Sequence, residues 1–181
     1  MHKNLFYKFY FIDKFKKNNI DLLDKNTHII YRNYKKKINI EDIILLRDYC
    51  RKKGLRFFLS NNIKLSIRLD LDGAYIPSFN TNTNHLSYNL KQKFELIGSA
   101  HNLKEIRIKE KQNVKFMFIS SVFKKNKNYL GINKFRIIES FTKKKVIGLG
   151  GLSKENLKLL KLTEAKGFAG ITFFQTKKKA P

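Results

Sequence analysis

Two apolar runs near the end of the chain finish in glycine, and they carry the residues best suited to holding an anion. KVIGLGGLS spans Lys145 to Ser153 and leads into a helical pattern from Ser153 to Leu162, while KGFAGIT spans Lys166 to Thr172. A strand, a glycine turn and a helix start in succession let backbone N–H groups approach a ligand closely, and the helix N-terminus adds roughly half a positive charge. The chemistry this favours is phosphate binding at Gly150 and Gly151. A tight turn between strand and helix would use the same glycines for geometry alone, and the two residues leave both readings open.

The elements that must position these residues are short and regular. Strands are expected at Phe9 to Asp13, Thr27 to Tyr34, Leu55 to Leu59, Asp72 to Ile76, Glu95 to Ser99, Val114 to Val122, Val146 to Leu149 and Gly167 to Thr172. Between them fall helical patterns. The clearest runs from Ile40 to Lys53, with Ile40, Ile43, Ile44 and Leu46 at a 3.6-residue period, and stops at Gly54. Others are expected at Ile63 to Leu69, Leu86 to Phe94, Leu103 to Lys111 and Ile132 to Phe141. Strict β/α alternation implies a parallel sheet with right-handed crossovers, and eight units close a (β/α)8 TIM barrel. The first helix is expected to be short, and the last missing or vestigial because the chain stops soon after the eighth strand.

Barrel chemistry sits at the C-terminal strand ends. Those ends carry Arg32 and Asn33, Asn61 and Asn62, Ser78 and Asn80, Ser99 and His101, then Ser120 and Ser121. The mouth is rich in hydrogen-bond donors, poor in carboxylates, and suited to an anionic ligand. Each residue also has a structural use. Arg32 can form an ion pair across the mouth, Asn61, Asn62 and Ser99 can cap helices, and His101 can cap or face solvent.

The ordered succession YRN, SNN, DGAYI, IGSAH, VFxxxxxxLG, GLGGLS with Asn156, and KGFAGIT resembles the thiamine-phosphate synthase and TenI-like family from about Phe9 to Phe174. The resemblance implies a transferase that joins hydroxymethylpyrimidine diphosphate to thiazole phosphate and releases pyrophosphate, using magnesium and cationic groups to stabilise the departing charge. It implies catalytic roles for Arg32, Asn61 and Ser99. It also implies that Gly150, Gly151, Ile171 and Thr172 hold the thiazole phosphate through backbone amides.

The departures bear on the metal. The family's two magnesium-binding aspartates fall on Asn62 and Asn80, its glutamine before the arginine on Ile30, and its lysine after it on Tyr34. Amides in place of both carboxylates remove two negative charges and predict severely weakened Mg2+ binding, because magnesium prefers charged oxygen ligands. Either the pyrophosphate brings its own magnesium, or lysines of Lys124 to Asn128 and Lys35 to Lys37 take over its charge. The histidine with which the isomerising relatives work falls on Ser121, which argues against that reaction.

Composition bounds the remainder. The 181 residues, 42% of them hydrophobic, are expected to form one barrel domain over 1–181. Lys plus Arg number 39 against 14 acidic residues, a formal +25 that attracts phosphates, nucleic acid and anionic surfaces. The abundance of Lys, Asn, Ile and Phe is equally what AT-rich codons produce. The single Cys50 offers neither a disulfide framework nor a zinc spacing, and no run approaches the ~20 apolar residues of a membrane span. A cytoplasmic setting, phosphorylated small-molecule substrates and a homo-oligomer that covers the apolar surface near the first and last strands are expected. Three functions are weighed: the transferase, a catalytically silent phosphate-binding or regulatory barrel, and, with least support, a basic nucleic-acid binder.

Overall fold

A computed structural model describes residues 6–35 and 38–175. Lys36 and Lys37 of the basic run, and the tail from Thr176, lie outside the described residues. Eight parallel strands close on themselves in sequence order: β1 (Tyr7–Ile12), β2 (Thr27–Tyr31), β3 (Phe57–Ser60), β4 (Gly73–Ile76), β5 (Glu95–Ala100), β6 (Phe116–Ser120), β7 (Lys145–Leu149) and β8 (Gly167–Gly170). Closure is made by β1 against β8, with Tyr7 beside Gly167 and Tyr10 beside Gly170. The expected TIM barrel is therefore the fold.

The alternation of side chains along β1 divides the core. Phe9 and Phe11 point into the lumen with Phe58, Phe116 and Phe118, while Tyr10 and Ile12 point outward onto Ile20, Ile29, Ile43 and Leu46. The lumen rings meet edge to face, Phe9 to Phe118 at 4.8 Å and Phe11 to Tyr75 at 5.2 Å between centroids. Branched aliphatic residues usually fill such lumens. Phenylalanines plug this one, which confines chemistry to the rim at the C-terminal strand ends.

The helices are uneven. α2 (Ile40–Lys53) and α4 (Leu103–Lys111) match the apolar spacing, and α5 (Gly131–Glu139) starts one residue earlier than expected. α1 (Lys17–Asp21) and α3 (Ile63–Arg68) are short. Two expectations fail. The pattern from Ser153 to Leu162 yields only α6 (Leu157–Leu160), preceded by a reciprocal capping exchange in which the Ser153 N–H donates to Asn156 Oδ1 at 2.9 Å and the Asn156 N–H to Ser153 Oγ at 3.4 Å.

The second failure is the helix from Leu86 to Phe94. A 3-10 turn at Asn84–Ser87 and irregular chain take its place. Lys109 of α4 holds this segment from behind, its Nζ donating to the Asn80 carbonyl at 2.6 Å and to Gln112 Oε1 at 2.8 Å. Gln112 Nε2 donates to the carbonyls of Asn80 and Asn82, and the ring of His85 lies 2.9 Å from the Gln112 carbonyl. Gly98 makes room for the lysine stem, since a Cβ there would lie 2.8 Å from Lys109 Cδ.

After β8 the described chain makes one 3-10 turn, Thr172–Phe174. Phe174 lies nearly parallel to Phe168, at 8° and 5.6 Å, and 5.1 Å from Tyr10. The apolar surface between the first and last strands is thus covered in part by the chain's own aromatic residues.

Candidate active site

At the roof of the lumen, β2, β4 and β5 bring Arg32, Tyr75 and Ser99 together. The Arg32 N–H donates to the Ile12 carbonyl at 2.7 Å, fixing the turn out of β2, and its guanidinium lies 4.5 Å from the Phe11 ring centroid. The buried Tyr75 hydroxyl faces Ser99 and Arg32, both of which pull its pKa down. Burial pushes this phenol up to about 12, against the opposite pull of both neighbours, so it stays neutral near pH 7. Arg32 stacks over an aromatic ring and makes no ion pair among the described residues.

Ser99 does not cap the helix behind it. Asn102 does, accepting the Glu105 N–H at 2.9 Å while the Glu105 carboxylate accepts the His101 N–H at 2.8 Å, a reciprocal box at the start of α4. Ser99 is left at the roof, 4% exposed. The His101 ring, half-buried, does not cap the helix: Nδ1 lies 2.9 Å from the Ser120 carbonyl. Ser121 Oγ donates to the Lys124 carbonyl at 2.8 Å.

Tyr75 was not singled out from the sequence. Tyr34, which entered only as a departure from the family pattern, bonds Ser60 Oγ at 2.7 Å and stands edge-on to Phe79 at 5.6 Å. Burial raises its phenol too.

The asparagines separate into two uses. Asn61, with φ at 60°, accepts at Oδ1 from Asn80 Nδ2 at 2.7 Å, and Asn80 Oδ1 accepts the Asn82 N–H at 2.8 Å. Asn62 caps α3, its Oδ1 accepting the Leu65 N–H at 3.0 Å. Both positions proposed for magnesium therefore carry neutral amides whose oxygens are already engaged. Among the described residues no group of three or more His, Cys, Asp or Glu gathers as a metal site. This donor set does not fit a hard divalent cation. Behind Asn80, burial pulls the Lys109 ammonium down to about 8, with Glu105 acting in the other direction.

The glycine turn after β7 packs under the loop after β6. Gly150 has φ 98° and Gly151 φ 75°, and a Cβ on Gly151 would stand 2.4 Å from the Lys124 nitrogen. The Gly150 carbonyl accepts the Phe123 and Lys124 N–H groups at 2.9 and 3.2 Å, which seats the start of the basic Lys124 to Asn128 segment on this turn. β7 and β8 pair Leu149 with Ala169, so the turn bearing Gly151 and the one bearing Ile171 and Thr172 leave the sheet side by side. Among the described residues no acceptor engages the N–H groups of Gly151, Leu152, Thr172 or Phe173. The four-residue α6 supplies far less dipole than the expected helix, so the cup rests on amides rather than on a helix end.

A cavity of about 430 Å³ opens beside this roof, over the end of β1. Arg32 and Ile171 line it together with Lys14, Lys16 and Lys35. Asn61, Ser99, Gly150, Gly151 and Thr172 do not. The proposed residues thus occupy a roof cluster, an amide pair and a glycine turn around one rim, and Lys14 and Lys16 had no signal beyond a basic loop after a strand.

Comparison with known proteins bears on this rim. The family model described as thiamine monophosphate synthase matches residues 21–174. A thiamine-phosphate synthase of Methanococcus vannielii is 21% identical over 145 residues, covering 76% of this chain and 70% of that protein. One of Persephonella marina is 23% identical over 153 residues, covering 81% and 73%. The solved thiamine phosphate pyrophosphorylase from Pyrococcus furiosus superposes with a TM-score of 0.74 at 19% identity, over 93% of this chain and 86% of that one, and shows the shared fold. With most of its length matched by the family model, the chain belongs to the thiamine monophosphate synthase family.

Proposed function

We propose that the chain is a thiamine-phosphate synthase-type transferase that joins hydroxymethylpyrimidine diphosphate to thiazole phosphate and releases pyrophosphate. Family membership over 21–174 carries this reading. The rim supports it: cationic Arg32 with neutral Tyr75 and Ser99 offers donors where charge develops on a departing diphosphate, and preorganised donors of this kind stabilise such charge strongly. The unengaged amides after β7 and β8 offer a second, separate place for the phosphate of the acceptor substrate.

In this reading Arg32 binds and orients the leaving group, Ser99 and Tyr75 offer neutral hydroxyls beside it, and Asn61 donates from the rim. No step is routed through magnesium, because the amides at Asn62 and Asn80 do not fit it. Those same amides favour a second reading, a barrel that binds phosphorylated ligands without turnover. Complementation separates the two: expression in a strain lacking thiamine-phosphate synthase restores growth without thiamine if the first holds, and failure despite soluble expression supports the second.

A further inference from the structure

Several cations at one end of the barrel are held in ion pairs. At the N-terminal strand ends Lys8 pairs with Asp24 at 2.5 Å, Arg56 with Glu95 at 2.6 Å, and Lys115 with Glu95. At the opposite end the cavity beside β1 is lined by Lys14, Lys16, Arg32 and Lys35, and none of these forms an ion pair among the described residues. Asp13 lines the same wall, so cations outnumber carboxylates there by four to one.

Four like charges around one concavity repel each other and focus a positive potential into it. A multiply charged anion relieves that repulsion. The floor is apolar, from Phe11, Ile12 and Ile20, and the volume of about 430 Å³ falls in the usual range of small-molecule pockets, roughly 300–1,000 Å³. A single phosphate would not use that floor.

We infer that this cavity binds an organic diphosphate without a metal, with Lys14, Lys16, Arg32 and Lys35 supplying the neutralisation that a divalent cation would otherwise provide. The inference rests on the transferase reading for its choice of ligand. It differs from that reading in placing the diphosphate over the end of β1 and in making its capture independent of magnesium. Arg32 is common to the roof cluster and the cavity, and so links the anion to the neutral hydroxyl of Tyr75.

Calorimetric titration of the full chain with sodium pyrophosphate, in excess EDTA and again in magnesium chloride, tests the inference. Saturable binding is expected in both, with affinities within about threefold. Lys14→Ala/Lys16→Ala is expected to weaken binding in EDTA by about tenfold or more, whereas Lys52→Ala/Lys143→Ala, which removes equal charge from exposed positions at the far end, weakens it by about threefold or less. Binding seen only with magnesium, equal losses in the two double variants, or no saturable binding would each overturn it. The transferase reading fails separately: pyrophosphate bound in EDTA by a protein that forms no product leaves the cavity standing, while product formation with strictly magnesium-dependent pyrophosphate binding removes the cavity alone.

Discussion

Asn80 Nδ2 donates to Asn61 Oδ1 across 2.7 Å, tying the loop after β4 to the end of β3 with two neutral amides. The family pattern puts a carboxylate at Asn80 and another at Asn62, which here caps α3. Restoring both charges leaves the cap intact, since aspartate caps as well as asparagine. Asn62→Asp/Asn80→Asp is therefore expected to gain saturable Mn2+ binding in an electron paramagnetic resonance titration, and the natural chain is expected to give none. Equal binding by both would show that the metal site never depended on these side chains.

The glycine cup makes a stability prediction and a binding prediction together. Gly151→Ala places a Cβ 2.4 Å from the Lys124 nitrogen at φ 75°, and the left-handed backbone alone costs about 1–2 kcal/mol. Gly151→Asp adds a negative charge to the same strain and is expected to abolish thiazole phosphate binding while leaving pyrophosphate binding in place. Unchanged thiazole phosphate affinity in the aspartate variant would remove the cup from the site.

Lys109 reaches Asn80 from outside the barrel, so it should affect the rim without touching a ligand. Lys109→Met keeps the apolar stem but leaves the Asn80 carbonyl and Gln112 Oε1 short of a donor. The expected cost is about 2 kcal/mol, with faster amide hydrogen exchange confined to residues 77–88. Exchange that rises evenly across the barrel would mean the lysine serves general packing instead.

Much of this fold was legible in the sequence, for a physical reason visible in α2. Ile43, Leu46 and Cys50 repeat at helical spacing and are fully buried, and the helix stops at Gly54 as its pattern does. The strands were legible as short apolar runs in order. Their inward and outward faces were not, because a parallel strand covered on both faces reads as continuously apolar. Tyr75 was lost that way, in the four-residue β4. Ser99 was identified as a site residue, but its capping role belongs to Asn102, three residues on in a stretch where both types cap equally well. The cavity beside β1 depends on loops from β1 and β2 meeting in space, and no local pattern announces that.

His28 supplies a pH dependence separate from the site. It lies at the lumen floor, with the Phe9 ring centroid at 4.9 Å, and its Nδ1 has no partner among the described residues. Burial pulls its pKa down to about 4, helped by Arg56 and Lys115 and opposed by Glu95 and Asp72. The unfolded chain therefore binds the proton first as pH falls. The stability conferred by neutral His28 is complete above about pH 6.5 and is lost progressively down to about pH 4, by up to about 3 kcal/mol. His28→Leu is expected to flatten this part of the stability curve measured by urea unfolding. A curve of the same slope in the variant would assign the acid sensitivity elsewhere.

The proposed reaction has this rim transfer the pyrimidine with amides in place of carboxylates. Purified protein at high concentration, given hydroxymethylpyrimidine diphosphate and thiazole phosphate, tests it by pyrophosphate release matched one to one by thiamine phosphate. Stoichiometric product is expected, and it disappears in Arg32→Ala with the variant shown to be folded. Both ligands bound and no product formed, even with magnesium supplied, would contradict it.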